Sequence, residues 1–224
     1  MKGEENSAAR KAILSRIRAA QGRSGDPSDA EREAVRAHIR AHPQGPRPQS
    51  GWEPIERFRE RVLNLSSTWD EVGSSSEIPA ATAAYLRENN LPLRAVCWKE
   101  FIALDWAGSG IEVEARNARG DDLVGITGAF CAIAETGTLM MTSGPDTPAA
   151  VSLLPETHIA VVSKARIVPG MEDAWGLLRA EFEHMPRAVN FISGPSRTAD
   201  IEQTVTLGAH GPYRVHIILA NSGA

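Results

Sequence analysis

Ala132-Ile133-Ala134-Glu135-Thr136-Gly137-Thr138-Leu139-Met140-Met141 joins two apolar runs through a short polar turn. Each run has the length of a strand, and a Glu-Thr-Gly connection is short enough to pair them antiparallel, so the stretch predicts a β-hairpin. A second stretch of the same character is Phe191-Ile192-Ser193-Gly194-Pro195-Ser196-Arg197-Thr198-Ala199-Asp200-Ile201-Glu202. Here the apolar run breaks at Gly194-Pro195, and Ser196 or Thr198 is placed to cap a helix whose first turn carries Asp200 and Glu202. A strand that runs into a helix N-terminus aims backbone N–H groups at whatever lies above the strand end. Arg197 adds a planar fork of donors suited to a carboxylate or phosphate. Thr136, Gly137 and Thr138 from the first stretch, with Ser193, Gly194, Ser196, Arg197, Thr198 and Asp200 from the second, are the expected lining of an anion pocket.

Outward from these stretches, short apolar runs alternate with helical patterns, which predicts an α/β domain. Helices are expected over 54–65, 79–89 and 171–184, and strands over 95–98, 111–115, 128–134, 139–142, 159–163, 188–192 and 214–219. One hairpin among so many alternating elements implies a three-layer architecture: a mixed, mostly parallel sheet flanked by helices, with ligands at the carboxyl ends of its strands. Residues 1–50 read differently. Ile13, Leu14 and Ile17 give a helix over 6–21 its apolar stripe, and Ser28-Asp29-Ala30-Glu31 has capping-box spacing for a second helix to about Ala41. Pro43, Gly45, Pro46 and Pro48 then read as a linker. The expected organisation is a helical N-terminal extension over 1–50 and one α/β domain over 51–224.

Composition narrows the function classes. The chain has 224 residues, 42% hydrophobic and 23% charged, with a formal net charge of −4, which is ordinary for a globular protein and gives no electrostatic reason to expect nucleic acid. A small anionic metabolite remains compatible with one well-placed arginine. The only cysteines, Cys97 and Cys131, lie in apolar surroundings and read as buried thiols. A cysteine-ligated iron–sulfur cluster needs about four thiolates, so any cluster chemistry is expected in a partner and no cofactor in this chain. The start of the chain is polar, and no apolar run approaches the ~20 residues of a membrane span. A cytoplasmic protein without a transmembrane segment is the expectation.

Several residues could carry chemistry. Glu135, where a strand gives way to the turn, could act as a positioned base or pair with Arg197; a solvated turn acid is the plain alternative. Thr142-Ser143-Gly144-Pro145-Asp146 follows the second hairpin strand, and Ser143 and Gly144 offer hydroxyl and backbone donors at a chain reversal. His210, beside Gly211-Pro212, is a better site candidate than His216, which lies inside an apolar strand. No two of His158, His210 and His216 have the i, i+4 spacing of a zinc site, and no phosphate loop, dinucleotide fingerprint or nucleophile elbow is present. No metal set is defined by spacing.

Glu135-Thr136-Gly137-Thr138, Ser193 to Glu202, and Gly208-Ala209-His210-Gly211-Pro212 followed by His216-Ile217-Ile218-Leu219 together resemble the LUD domain family, and within it the lactate utilization protein C group. The resemblance implies the fold of the sugar-phosphate isomerases and CoA-transferases (NagB/RpiA-like). It implies a subunit of a system that oxidises L-lactate to pyruvate, acting with iron–sulfur partners similar to lactate utilization proteins A and B. Two other classes stay open: a stand-alone sugar-phosphate isomerase or acyl-CoA-type transferase with Glu135 as base or nucleophile, and a non-catalytic assembly or regulatory module.

Overall fold

The computed structural model describes residues 2–23, 26–48, 51–198 and 206–221. The chain divides into two compact units, Met1–Pro48 and Gln49–Ala224. In the first unit α1 (Lys2–Ala20) and α2 (Asp29–Ala41) follow each other. The capping box at the start of α2 is formed: Ser28 Oγ accepts from the Glu31 amide at 3.2 Å while the Glu31 carboxylate accepts from the Ser28 amide at 2.8 Å. Ile13, Leu14 and Ile17 of α1, and Val35 and Ile39 of α2, are exposed.

In chain order the second unit runs α3 (Pro54–Asn64), β1 (Thr68–Val72), α4 (Ile78–Glu88), β2 (Arg94–Cys97), β3 (Glu112–Ala115), β4 (Val124–Gly128), β5 (Cys131–Ile133) and β6 (Thr138–Thr142). It continues through α5 (Ala150–Leu153), β7 (Thr157–Ser163), β8 (Ile167–Val168), α6 (Met171–Glu181), β9 (Val189–Ile192), β10 (Arg197–Thr198), β11 (Thr206–Leu207) and β12 (Arg214–Ala220). Six strands form a wholly parallel sheet in the order β1-β12-β7-β4-β2-β3. The three central strands β4, β7 and β12 are buried almost end to end, as a parallel sheet covered on both faces requires. The edge strands Thr68-Trp69-Asp70-Glu71-Val72 and Glu112-Val113-Glu114-Ala115 carry charges instead, which discourages pairing with another chain. α3 turns Phe58 and Val62, one helical turn apart, into the core.

The predicted α/β architecture, a mostly parallel sheet flanked by helices, is what forms. It differs in one respect: the main sheet is wholly parallel, and the antiparallel pairings lie outside it. β8-β5-β6-β9 make a second, four-stranded sheet, parallel only between β8 and β5. The predicted hairpin is its centre, pairing Cys131 with Met140 and Ile133 with Thr138. The run 128–134, expected as one strand, is split: β4 ends at Gly128 and β5 begins at Cys131. The change of sheet explains the break, because both edges of β4 are already paired, with β7 and β2, so the hairpin partner β6 needs a new strand. β1 was not expected as a strand, since only Val72 of its five residues is buried and an edge strand shows little apolar alternation.

Candidate functional site

The end of α3 organises the loops singled out by sequence. Glu53 opens this helix by accepting from the Glu56 amide at 2.8 Å, and Leu65 closes it, followed by Ser66 with φ of 66°. Gly137, at φ of 70°, presses on the last turns of α3 so closely that a Cβ there would lie 2.7 Å from Arg61 Cβ. Gly194, at φ of 76°, does the same one turn further on, where a Cβ would lie 2.6 Å from the Leu65 carbonyl oxygen. Both positions combine a left-handed backbone with no space for a side chain, which only glycine satisfies. The two loops are also tied to each other, since the Thr138 hydroxyl lies 2.7 Å from Ser193 Oγ and 2.7 Å from Thr136 Oγ1.

The third loop joins through Ser196. Its amide donates to the Pro212 carbonyl at 2.9 Å, its carbonyl accepts from Gly208 at 3.0 Å, and its hydroxyl accepts from the His210 amide at 3.3 Å. Arg197 then reaches back to α3: Nη2 donates to the Leu65 carbonyl at 3.2 Å and to Ser66 Oγ at 2.5 Å. A cation on the final carbonyls of a helix is favourable there. So all three sequence motifs meet around the carboxyl end of α3.

Beside that junction lies a cleft of about 490 Å³. One wall is Arg197, Pro195 and Ser66; another is Arg214, Tyr213 and Leu207; Thr68, Tyr85, Asn89 and Val215 close the floor. The Arg214 guanidinium stacks on Tyr213 at 4.9 Å from the ring centroid. Among the described residues two arginines and no carboxylate line the cavity, so their field favours an anion. Behind the floor, buried His216 stacks on Tyr85 at 3.9 Å between centroids, and its Nδ1 lies 2.8 Å from the Thr68 hydroxyl. Burial pushes the His216 ring down to about 4, so it is neutral at pH 7. Its Nε2 stands 3.4 Å from Asp70 Oδ2 without hydrogen-bond geometry, and no ion pair forms with a neutral ring. The Asp70 carboxyl is raised by burial and by neighbouring Glu88.

The cleft sits at the amino ends of β1 and β12, where Thr68 and Arg214 begin their strands. Ligands were expected at the carboxyl ends. There β4 and β7 pass within a few residues into β5 and β8, so the second sheet takes the space over the central strands.

The structure gathers only part of the expected pocket. Arg197 lines the cleft; Gly194, Ser193 and Ser196 lie in the adjoining turn, while Thr136, Gly137 and Thr138 form the packing junction behind it. Glu135 is half-buried and holds its place through its backbone, donating to the Pro169 carbonyl at 3.0 Å and accepting from Arg61 Nε at 3.2 Å; it does not line the cleft. Ser143 accepts from the Ala188 amide at 2.9 Å and pins the end of β6 to β9, and Gly144 accepts from Thr147 in the same turn. His210 is exposed and lies outside the cavity lining. The helix expected after Ser196 is replaced at Arg197 and Thr198 by an extended ribbon, Arg197 pairing with Leu207 and Thr198 with Thr206. Asp200 and Glu202 lie outside the described residues. Sequence reading missed Ser66, Thr68, Tyr85, Asn89, Tyr213 and Arg214, which come together through the pairing of β12 with β1, and no local pattern in the sequence carries that pairing.

The two thiols lie in different sheets, Cys97 in β2 and Cys131 in β5, both buried. Burial pushes them up to about 11 and about 12, so neither is a thiolate at neutral pH. Among the described residues no group of three histidine, cysteine or acidic side chains is placed to hold a metal ion, and no helix is long and apolar enough to cross a membrane.

The chain is similar to known proteins. The chain is 36% identical over 135 residues to lactate utilization protein C of Bacillus subtilis, covering 55% of this chain and 56% of that one. It is 36% identical over 142 residues to lactate utilization protein C of Exiguobacterium, covering 62% of each. The matched part thus spans little more than half the length of these relatives. A DUF162 family protein of Deinococcus radiodurans has a crystal structure that superposes with a TM-score of 0.57 at 24% identity, covering 78% of this chain and all of that one; this likeness is one of fold. The family model for the LUD domain matches residues 66–220, from the residue that ends the α3 turn to the last residue of β12, and by that match the chain belongs to the LUD domain family.

Proposed function

We propose that this chain is a cytoplasmic subunit of an L-lactate utilization system, and that the cleft between Arg197 and Arg214 is its own anion-binding site. The observation that carries the second part is the pair of cationic side chains in a cavity that no carboxylate lines among the described residues. Likeness to proteins named lactate utilization protein C supports the first. Oxidation of L-lactate to pyruvate releases two electrons and two protons. Two buried, protonated thiols in separate sheets do not fit a cluster that takes about four thiolates, so the electrons are assigned to iron–sulfur partners resembling lactate utilization proteins A and B. The cleft's part is to bind and orient an anion.

Deleting the gene in cells lacking any other L-lactate oxidase should abolish growth on L-lactate, and the wild-type chain should restore it. Unaltered growth of the deletion strain overturns the assignment. Restoration by Arg197→Ala as full as by wild type would remove the cleft from the function while leaving the subunit role intact.

A further inference from the structure

We propose that the cleft takes a nucleoside phosphate rather than a three-carbon acid; this rests on reading the cleft as an anion site. Size is the first argument. At the roughly 30 Å³ that one water molecule claims in the liquid, the six non-hydrogen atoms of lactate account for about 180 Å³, well under half of the 490 Å³ available. Cavities of this size suit ligands with a sizeable apolar body.

The lining chemistry is the second argument. Apart from the arginines, the walls are two tyrosines, Leu207, Val215 and Pro195, with hydroxyl and amide groups from Ser66, Thr68 and Asn89 between them. Flat, apolar surfaces with a few polar edge groups match a nucleobase, and the exposed Tyr213 ring, held against the Arg214 guanidinium, is a platform for stacking. Two arginines from different segments match a phosphate group, which takes several donors at once, better than a single carboxylate. Arg197 is fixed by its bonds to Leu65 and Ser66, so its donors are ordered before a ligand arrives.

The test is calorimetric titration of the full chain at constant ionic strength with ADP, inorganic phosphate and L-lactate as separate probes. ADP should bind at least about tenfold more tightly than either small anion. Arg214→Ala and Arg197→Ala should each weaken ADP about tenfold. Tyr213→Leu should weaken ADP while leaving phosphate unaffected, and unchanged circular dichroism of all three variants separates binding from folding. Phosphate or lactate binding as tightly as ADP overturns the nucleoside reading and leaves the anion cleft standing. ADP binding that is indifferent to all three substitutions places it elsewhere and also overturns the inference. Failure of all three probes removes the inference together with the anion-cleft part of the proposed function, but not the subunit role, which growth on L-lactate tests separately.

Discussion

The turns at Gly137 and Gly194 look alike and do different work. Both hold a left-handed glycine against the end of α3, and both leave no room for a Cβ. The first is sealed: Gly137 and Thr138 are buried and its hydroxyls bond to one another. The second continues through Pro195 into Arg197 and opens on the cleft. A glycine turn between strands is therefore as readily a packing device as a ligand loop, and the charged residue that follows it separates the two.

Substitutions can break or sharpen that contrast. Gly137→Ala should have the largest effect, about 4 kcal/mol of lost stability from backbone strain and overpacking against Arg61, read as a lowered midpoint in denaturant unfolding. Retained stability with lost ADP binding would show instead that Gly137 serves a ligand. Acid should come next, acting on the back wall of the cleft. His216 is held at about 4 by burial, against an ordinary value of 6.5. The unfolded chain thus binds its proton first; the stability this ring contributes is fully present above pH 6.5 and is lost as pH drops toward 4, on the order of 3 kcal/mol. Unfolding midpoints that do not change between pH 7 and 4.5 would contradict this. Thr138→Val, which unties the two turns by removing the hydroxyl between Thr136 and Ser193, should cost about 1–2 kcal/mol, measured by thermal unfolding. Arg197→Ala should cost least in stability, under about 1 kcal/mol because the side chain is exposed, while weakening anion binding. A large fall in melting temperature without ligand would make Arg197 a structural clamp on α3 and erase the contrast between the turns.

How far the sequence alone reached follows from what each region buries. The hairpin at Glu135-Thr136-Gly137 was legible because its strands are apolar and its turn is short, and the helices over 54–64 and 171–181 were legible from their period. The change of sheet after Gly128 left no local trace. Neither did the pairing of β1 with β12, since Thr68-Trp69-Asp70-Glu71-Val72 is an edge strand with one buried residue. That pairing sets Thr68 opposite His216 and brings Arg214 into the same cleft, so without it the cleft could be read only as far as Arg197. The helix expected from Ser196 rested on a capping signal, and pairing with Thr206 and Leu207 overrode it at Arg197 and Thr198.

The position of β12 has a cost in time. Among the described strands it is the last to be synthesised, yet it lies between β1 and β7 and pairs with both. At about 5–20 residues per second on the ribosome, the 51 residues from Ser163 to Arg214 take roughly 3–10 s. Through that interval β1 and β7 have their backbone donors and acceptors ready but lack the strand that joins them. Nascent chains of this protein are thus expected to spend seconds with two open sheet edges, an interval in which another chain can pair with them.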